Sequence, residues 1–222
     1  MNIIHAIGIE GARTARGTVV VIDVLRAFTV SAYAFAGGAR ECRLVGTVAE
    51  ARDLASRTHD AVICAEEEGL PVAGIPISNS PTMIRATDLR DKVLIQRSSA
   101  GTQAAGAVVG GDIFAGSLVV ARSTVQACLL RKPDTITLVA SADHPEDHAC
   151  AAYMESLLRN APADLEELLL PLRKSERYRR IVTGHWPGMP PTDLDLSLTP
   201  DSFDFAMPVE REPGYLRVTA SF

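Results

Sequence analysis

Short apolar runs rich in β-branched residues recur along the chain at positions 19–22, 61–64, 93–95 and 135–140. Stretches of helical character lie among them, at 29–36, 48–56, 101–109, 123–130 and 146–158. Continuous apolar runs of this length suit strands covered on both faces. Their alternation with helices predicts an α/β domain, a three-layer α/β/α arrangement around a largely parallel sheet.

Part of the pattern repeats. "VIDVLRAFTVSAYAFAGGA" and "LIQRSSAGTQAAGAVVGGD" align without a gap, placing Thr29 on Thr102 and Gly37-Gly38 on Gly110-Gly111. Both read strand, Arg-bearing loop, Thr, small-residue helix and a Gly pair suited to a helix C-terminus. An internal duplication explains this, and so does the shared rhythm of any two α/β units. After Asn160 the texture changes, with prolines recurring from Pro162 to Pro213. "GHWPGMPPTD" reads as a loop, the stretch around Pro171 as helix on both sides, and "DLDLSLTPDSFDFAMPVE" as an exposed or edge strand. The expected organisation is an α/β core over 1–160, with 161–222 as a covering segment of the same domain.

Bulk properties narrow the function. The chain has 222 residues, 47% of them hydrophobic and 22% charged, which is ordinary globular composition. A formal charge of −5 argues against nucleic acid as partner while leaving room for a small anion held by local arginines. The four cysteines show no CxxC spacing, so neither a zinc site nor a disulfide framework is expected and the cytoplasm is the natural compartment. The N-terminus lacks the pattern of a secretory leader, and no apolar run reaches the roughly 20 residues of a membrane span. A homo-oligomer is compatible with all of this.

The polar residues with chemical potential cluster after the predicted strands, where ligands bind in parallel α/β sheets. "DVLRAFT" offers Asp23 for a divalent cation or a proton, Arg26 for an oxyanion, and Thr29 near a helix start whose free N–H groups suit phosphate. The structural alternative is a turn cap and a surface charge. "QRSSAGT" adds Arg97, Ser98, Ser99, Gly101 and Thr102, which suit a phosphate or sulfonate but also a plain helix cap; it is not a Walker loop. "CAEEEG" supplies Glu66, a candidate Mg2+ ligand, with Glu67 and Glu68 reading as a solvated face. "SNSP" gives Asn79 and Ser80 in a polar loop or turn. "SADHPEDHACAAY" crowds Asp143, His144, Glu146, Asp147 and His148 at a helix start, where acids are also favoured by the helix dipole. No HExxH motif supports zinc.

These segments, in this order and spacing, resemble the 2-phosphosulfolactate phosphatase family. The likeness runs from about Gly17 through Leu158, more faintly through "DLDLSLTPDSFDFAMPVE". Asp23, Arg26 and Thr29 match its first motif, Glu66 and Gly69 a Gly-Glu-Arg-x-Gly segment, and Asn79-Ser80-Pro81 a Gly-Asn-Ser-Pro segment. Gly101-Thr102 match a Thr-Asn-Gly-Thr loop and Glu146-Asp147 a Glu-Asp pair. Departures are Glu67 in place of Arg, Ala100 in place of Asn, Ile75-Pro76 in place of Phe-Asp, and Ser78 in place of Gly.

The resemblance implies an α/β/α fold and Mg2+-dependent hydrolysis of a phosphate ester on a small sulfonated acid, a step toward coenzyme M. On that reading Asp23, Glu66 and Asp147 gather the Mg2+, and Asp23, Arg26 and Asp147 are catalytic. Thr29, Asn79, Ser80, Arg97, Ser98, Ser99, Gly101 and Thr102 bind the anionic substrate. Leu25 occupies the second acidic position of the Asp-x-Asp pair used by haloacid-dehalogenase-type phosphatases, which disfavours that route. A non-catalytic binder of an anionic metabolite on the same fold is the main alternative, with Glu67 and Ala100 in its favour. A nucleotide-dependent enzyme is a further one, against which no strand is followed by GxGxxG.

Overall fold

A computed structural model describes residues Met1–Phe222. In chain order the elements are β1 Asn2–Ile7, α1 Gly8–Thr14, β2 Thr18–Ile22, α2 Ala27–Ala36, β3 Glu41–Leu44, α3 Val48–Ser56, β4 Ala61–Glu67 and β5 Leu70–Pro71. There follow α4 Pro81–Arg85, β6 Val93–Arg97, α5 Gly101–Ala107, β7 Ile113–Gly116, α6 Ala121–Leu130, β8 Thr135–Ala140 and α7 Pro145–Leu158. The chain closes with α8 Leu165–Leu168, α9 Leu170–Arg173, α10 Glu176–Val182, α11 Thr192–Leu198, β9 Met207–Glu212 and β10 Tyr215–Val218.

All ten strands join one mixed sheet in the order β1-β8-β2-β7-β9-β10-β3-β6-β4-β5. β8-β2-β7 and β3-β6-β4 are parallel trios, and the β9-β10 hairpin connects them through antiparallel ladders. β2 is the middle strand of one trio and β6 of the other, so the two sequence-similar units occupy equivalent places. Every residue of β2 is buried, as its unbroken apolar run requires.

The largest core cluster unites both trios with α2 and α5, joining Val21, Phe28, Leu94, Ala104 and Met207. A second packs α6, α7 and the tail helices on β2 and β8 through Ile22, Leu138, Met154 and Leu172. A smaller third packs α3 on β6 through Leu54 and Ile95. Helix layers thus cover the sheet as expected.

Local signals placed several helices. Thr47 accepts from the Glu50 amide while the Glu50 carboxylate accepts from the Thr47 amide, a capping box that starts α3 at Val48. Ser80 accepts from Met83 N with Pro81 next in line, so the polar SNSP loop opens a helix. Gly38, with φ +90°, ends α2 as its Gly pair suggests. Gly110-Gly111 does not cap α5, which stops at Ala107; the pair instead forms a bend ahead of β7.

The tail differs most from the sequence expectation. Thr192–Leu198 is a helix, not an edge strand, because Asp193, Leu194 and Ser197 form a buried face at helical spacing. Beyond covering the core, the tail threads β9 and β10 into the middle of the sheet. No helix is long and apolar enough to cross a membrane.

Candidate active site

Asp23 lies immediately beyond β2 and is buried. Its Oδ1 accepts from the amide of Ala27 and its Oδ2 from that of Gly101, each at 2.9 Å. Those are the first residues of α2 and α5, so one carboxylate ties together two helix ends that expose unpaired N–H groups. Burial drives the Asp23 pKa upward and Glu66 adds to it, while the two amides and Arg177 oppose; the net direction is up. A Cβ on Gly101 would lie 2.6 Å from Asp23 Oδ2 and 3.0 Å from Ala27 Cβ, so the close approach needs glycine.

Glu66, near the end of β4, does the same for the loop after β6. Its carboxylate accepts from the amides of Ser99 and Gly69 and, at 3.2 Å, from the Ser99 hydroxyl. Arg97, at the end of β6, donates to the carbonyls of Glu66 in β4 and of Gly46 just beyond β3, which ties the ends of the three strands together. Ser98 and Thr102 close the loop on itself: each amide donates to the other's hydroxyl at 3.0 Å.

Asp147, in the first turn of α7, accepts from Val24 N at 2.8 Å and from the Ser141 hydroxyl at 3.1 Å. Burial pushes its pKa well above the ordinary range, helped by Asp23 and Glu146. Thr29 donates to the Val24 carbonyl at 2.7 Å and pairs with the Ser117 hydroxyl. Both residues therefore hold the Asp23–Arg26 turn from behind.

The tail completes the site. Arg26 Nη1 donates to the Gly188 carbonyl at 2.6 Å and forms a buried ion pair with Asp193 Oδ2 at 2.9 Å. Arg177 of α10 donates to the Leu25 carbonyl at 3.0 Å and stands 3.2 Å from Glu146, whose carboxylate is buried with no hydrogen-bond partner. Burial raises the Glu146 pKa against the pull of Arg177. Trp186 donates to the Gly69 carbonyl at 3.3 Å, with Arg180 and Arg177 over its ring. His144 is held neutral by burial and then by Arg177, its pKa lowered to about 4.

These elements enclose a cavity of about 360 Å³. Asp23, Glu66, Arg26, Asn79, Ser99 and Ala100 line it from the core. Leu25, Glu68, Gly69, Ser141 and His144 complete that wall, and Arg177, Trp186 and Met189 line it from the tail. Both of its arginines have an acidic partner, whereas Asp23 and Glu66 have no cationic one. The buried part of the lining is therefore an anionic pair beside two ion-paired guanidiniums, with the exposed Glu68 adding a further acid.

Sequence reasoning brought Asp23, Arg26, Glu66, Asn79 and Ser99 to this cavity, with Gly101 directly behind. Thr29, Ser80, Arg97, Ser98 and Thr102, expected to touch substrate, do not line it. Their polar groups are occupied by the internal hydrogen bonds just described, and Ser80 donates to Asp193 at 2.7 Å. Nor do the acids form the expected cage: no group of three or more His, Cys, Asp or Glu side chains is disposed to hold a metal ion. Asp147 is turned to Val24 and Ser141, leaving Asp23 and Glu66 as the buried carboxylates on the cavity, with the exposed Glu68 beside them. That pair fits a hard cation such as Mg2+, which takes one or two carboxylates and completes its sphere with water and phosphate. Glu67 is exposed and off the cavity, whereas Ala100 is on its wall. Arg177, Trp186 and Asp193 were missed: Arg177 sits in the RKSERYRR run, which reads as a solvated helix face, and Trp186 and Asp193 in stretches that read as a loop and an edge strand.

The family model for 2-phosphosulpholactate phosphatase matches residues 6–183. A protein of Bacillus subtilis (strain 168) described as "Probable 2-phosphosulfolactate phosphatase" is 39% identical over 145 residues, 63% of each chain. The chain thus spans under two thirds of that relative. A protein of Carboxydothermus hydrogenoformans with the same description is 35% identical over 178 residues, covering 77% of this chain and 74% of its own. One from Clostridium novyi (strain NT), also so described, is 30% identical over 174 residues, covering 76% and 74%.

Proposed function

The chain belongs to the 2-phosphosulfolactate phosphatase family, and we propose that it is a Mg2+-dependent phosphoric monoester hydrolase acting on 2-phosphosulfolactate or a closely related small anionic acid. One observation carries the reading: Asp23 and Glu66 share a cavity with Arg26 and Arg177, and of these four only the arginines have an ion-pair partner. Two carboxylates without an ion-pair partner would repel a phosphate dianion, so a divalent cation beside them is what the charge arrangement calls for. Asp23 and Glu66 would hold it. When bound it supplies charge neutralisation at the phosphate oxygens and lowers the pKa of coordinated water.

The chain's own residues position and select. The uncommitted edges of Arg26 and Arg177 meet the substrate's anionic groups, and Asn79 and Ser99 supply further polar contacts. Trp186 and Met189 exclude water over the reacting group. In the hydrolysis, a water oxygen forms the new bond to phosphorus, the ester P–O bond breaks, and a water proton ends on the released alcohol. Phosphoryl transfer asks mainly for such positioning and charge stabilisation. A place on the route to coenzyme M and a cytoplasmic location, consistent with four free buried cysteines, belong to the same proposal.

The test is phosphate release from phosphosulfolactate, phospholactate and unrelated phosphate esters, with Mg2+ and with chelator. Mg2+-dependent turnover that prefers the sulfonated ester supports the reading. Turnover confined to unrelated esters, or none in folded protein, refutes it.

A further inference from the structure

We infer that Asp193 is a positioning residue that aims Arg26 at the substrate anion. The inference rests on the phosphatase reading of the cavity. Asp193 lies beyond the residues matched by the family model, which end at 183, and is fully buried in α11. Its Oδ1 accepts from the Ser80 hydroxyl at 2.7 Å and the Thr82 amide at 3.0 Å. Its Oδ2 takes Arg26 Nη1 at 2.9 Å. The carboxylate is thus locked by α4 on one side and holds the guanidinium with the other.

The same Nη1 donates to the Gly188 carbonyl, which also accepts from Ser78 at 3.0 Å. Gly188 has φ +68°, and a Cβ there would strike the Pro71 ring. The strap from Gly188 to Asp193 therefore has little freedom to shift. With Nη1 held by two acceptors, the planar fork is fixed, and its remaining N–H groups are those available to the cavity that Arg26 lines. A guanidinium so fixed loses less freedom when it grips an oxyanion. Removing Asp193 would leave Arg26 charged and free to turn.

The test is a double-mutant cycle on kcat/KM, with inorganic phosphate binding measured by calorimetry beside it. Asp193→Asn keeps an acceptor for Ser80 and Thr82 but not the charge. In the native background it should lower kcat/KM about 10- to 100-fold and weaken phosphate binding in step. In the Arg26→Lys background, where no fork remains to be aimed, it should cost about twofold or less. Equal losses in both backgrounds would overturn the inference, since Asp193 would then merely hold the tail. Should Asp193→Asn not fold, Ser80→Ala loosens the carboxylate while sparing the ion pair. It should lower kcat/KM severalfold in the native background and leave it unchanged in the Arg26→Lys background; a loss indifferent to Arg26 overturns the idea equally. Native protein that neither turns over nor binds phosphate would instead count against the phosphatase reading.

Discussion

The amide of Gly101 donates to the Asp23 carboxylate at 2.9 Å, across 78 positions of sequence. This contact joins the start of α5 to the end of β2, and so joins the two sequence-similar units at the site itself. The contact tolerates no side chain at 101, since a Cβ would lie 2.6 Å from Asp23 Oδ2. Gly101→Ala should therefore displace the Asp23 carboxylate and destabilise by about 1–3 kcal/mol. In calorimetry that appears as a Tm lowered by roughly 2–4 °C per kcal/mol, accompanied by a larger loss of phosphate release than of stability.

Arg177 and Glu146 form a pair at 3.2 Å whose acidic member is almost fully buried. Arg177→Met should abolish a cavity cation and strand the carboxylate, destabilising by about 2 kcal/mol, below the usual range because Arg177 is partly exposed. Adding Glu146→Leu should restore most of the stability and none of the affinity for substrate. Urea unfolding and KM, measured on the same three proteins, separate the two effects.

His144 carries a pH signature. Its unfolded value is near 6.5 and its folded value about 4. Between them the unfolded chain binds more protons, so the His144 contribution is complete above pH 6.5 and is lost as pH falls toward 4. Native protein should lose stability across that window relative to His144→Gln. Asp23, Asp147 and Glu146, whose values are raised chiefly by burial, act in the opposite sense. NMR titration of the His144 ring should find its midpoint near 4, and a midpoint near 6.5 would contradict its partly buried placement beside Arg177.

Trp186 is the only tryptophan of the chain, and it lines the cavity. Its fluorescence should change saturably when inorganic phosphate is added with Mg2+, and not when Asp23→Asn protein is used. Trp186→Leu should raise KM severalfold by opening the cavity, with little change in the far-UV spectrum.

The core of the fold was legible because its signals are local. The strand Thr135–Ala140 and the helix Val48–Ser56 have the extents read from apolar runs and periodicity. β1 was not, since half-exposed Asn2–Ile7 lacks a clear pattern, nor was β10, whose place is set by pairing with β3 and β9. In the site, Asp23 and Glu66 were found because acids after apolar strands stand out. Thr29, Ser98 and Thr102 were assigned to substrate because sequence cannot tell a hydroxyl that faces a cavity from one that bonds its own loop. Arg177 and Asp193 were invisible for a related reason. Their roles arise from the tail folding back on the start of the chain, Arg177 to Leu25 across 152 positions and Asp193 to Arg26 across 167.

The proposed function rests on Asp23 and Glu66 sharing the cavity without an ion-pair partner, an arrangement that calls for a cation at a phosphate site. The most direct check compares Mg2+-dependent phosphate release from phosphosulfolactate by native protein and Asp23→Asn, both verified as folded. Release that rises with Mg2+ in the native protein and falls by at least about 1,000-fold in the variant is the predicted result. Asp23→Asn protein that turns over at a comparable rate, or native turnover indifferent to Mg2+ and chelator, would contradict it.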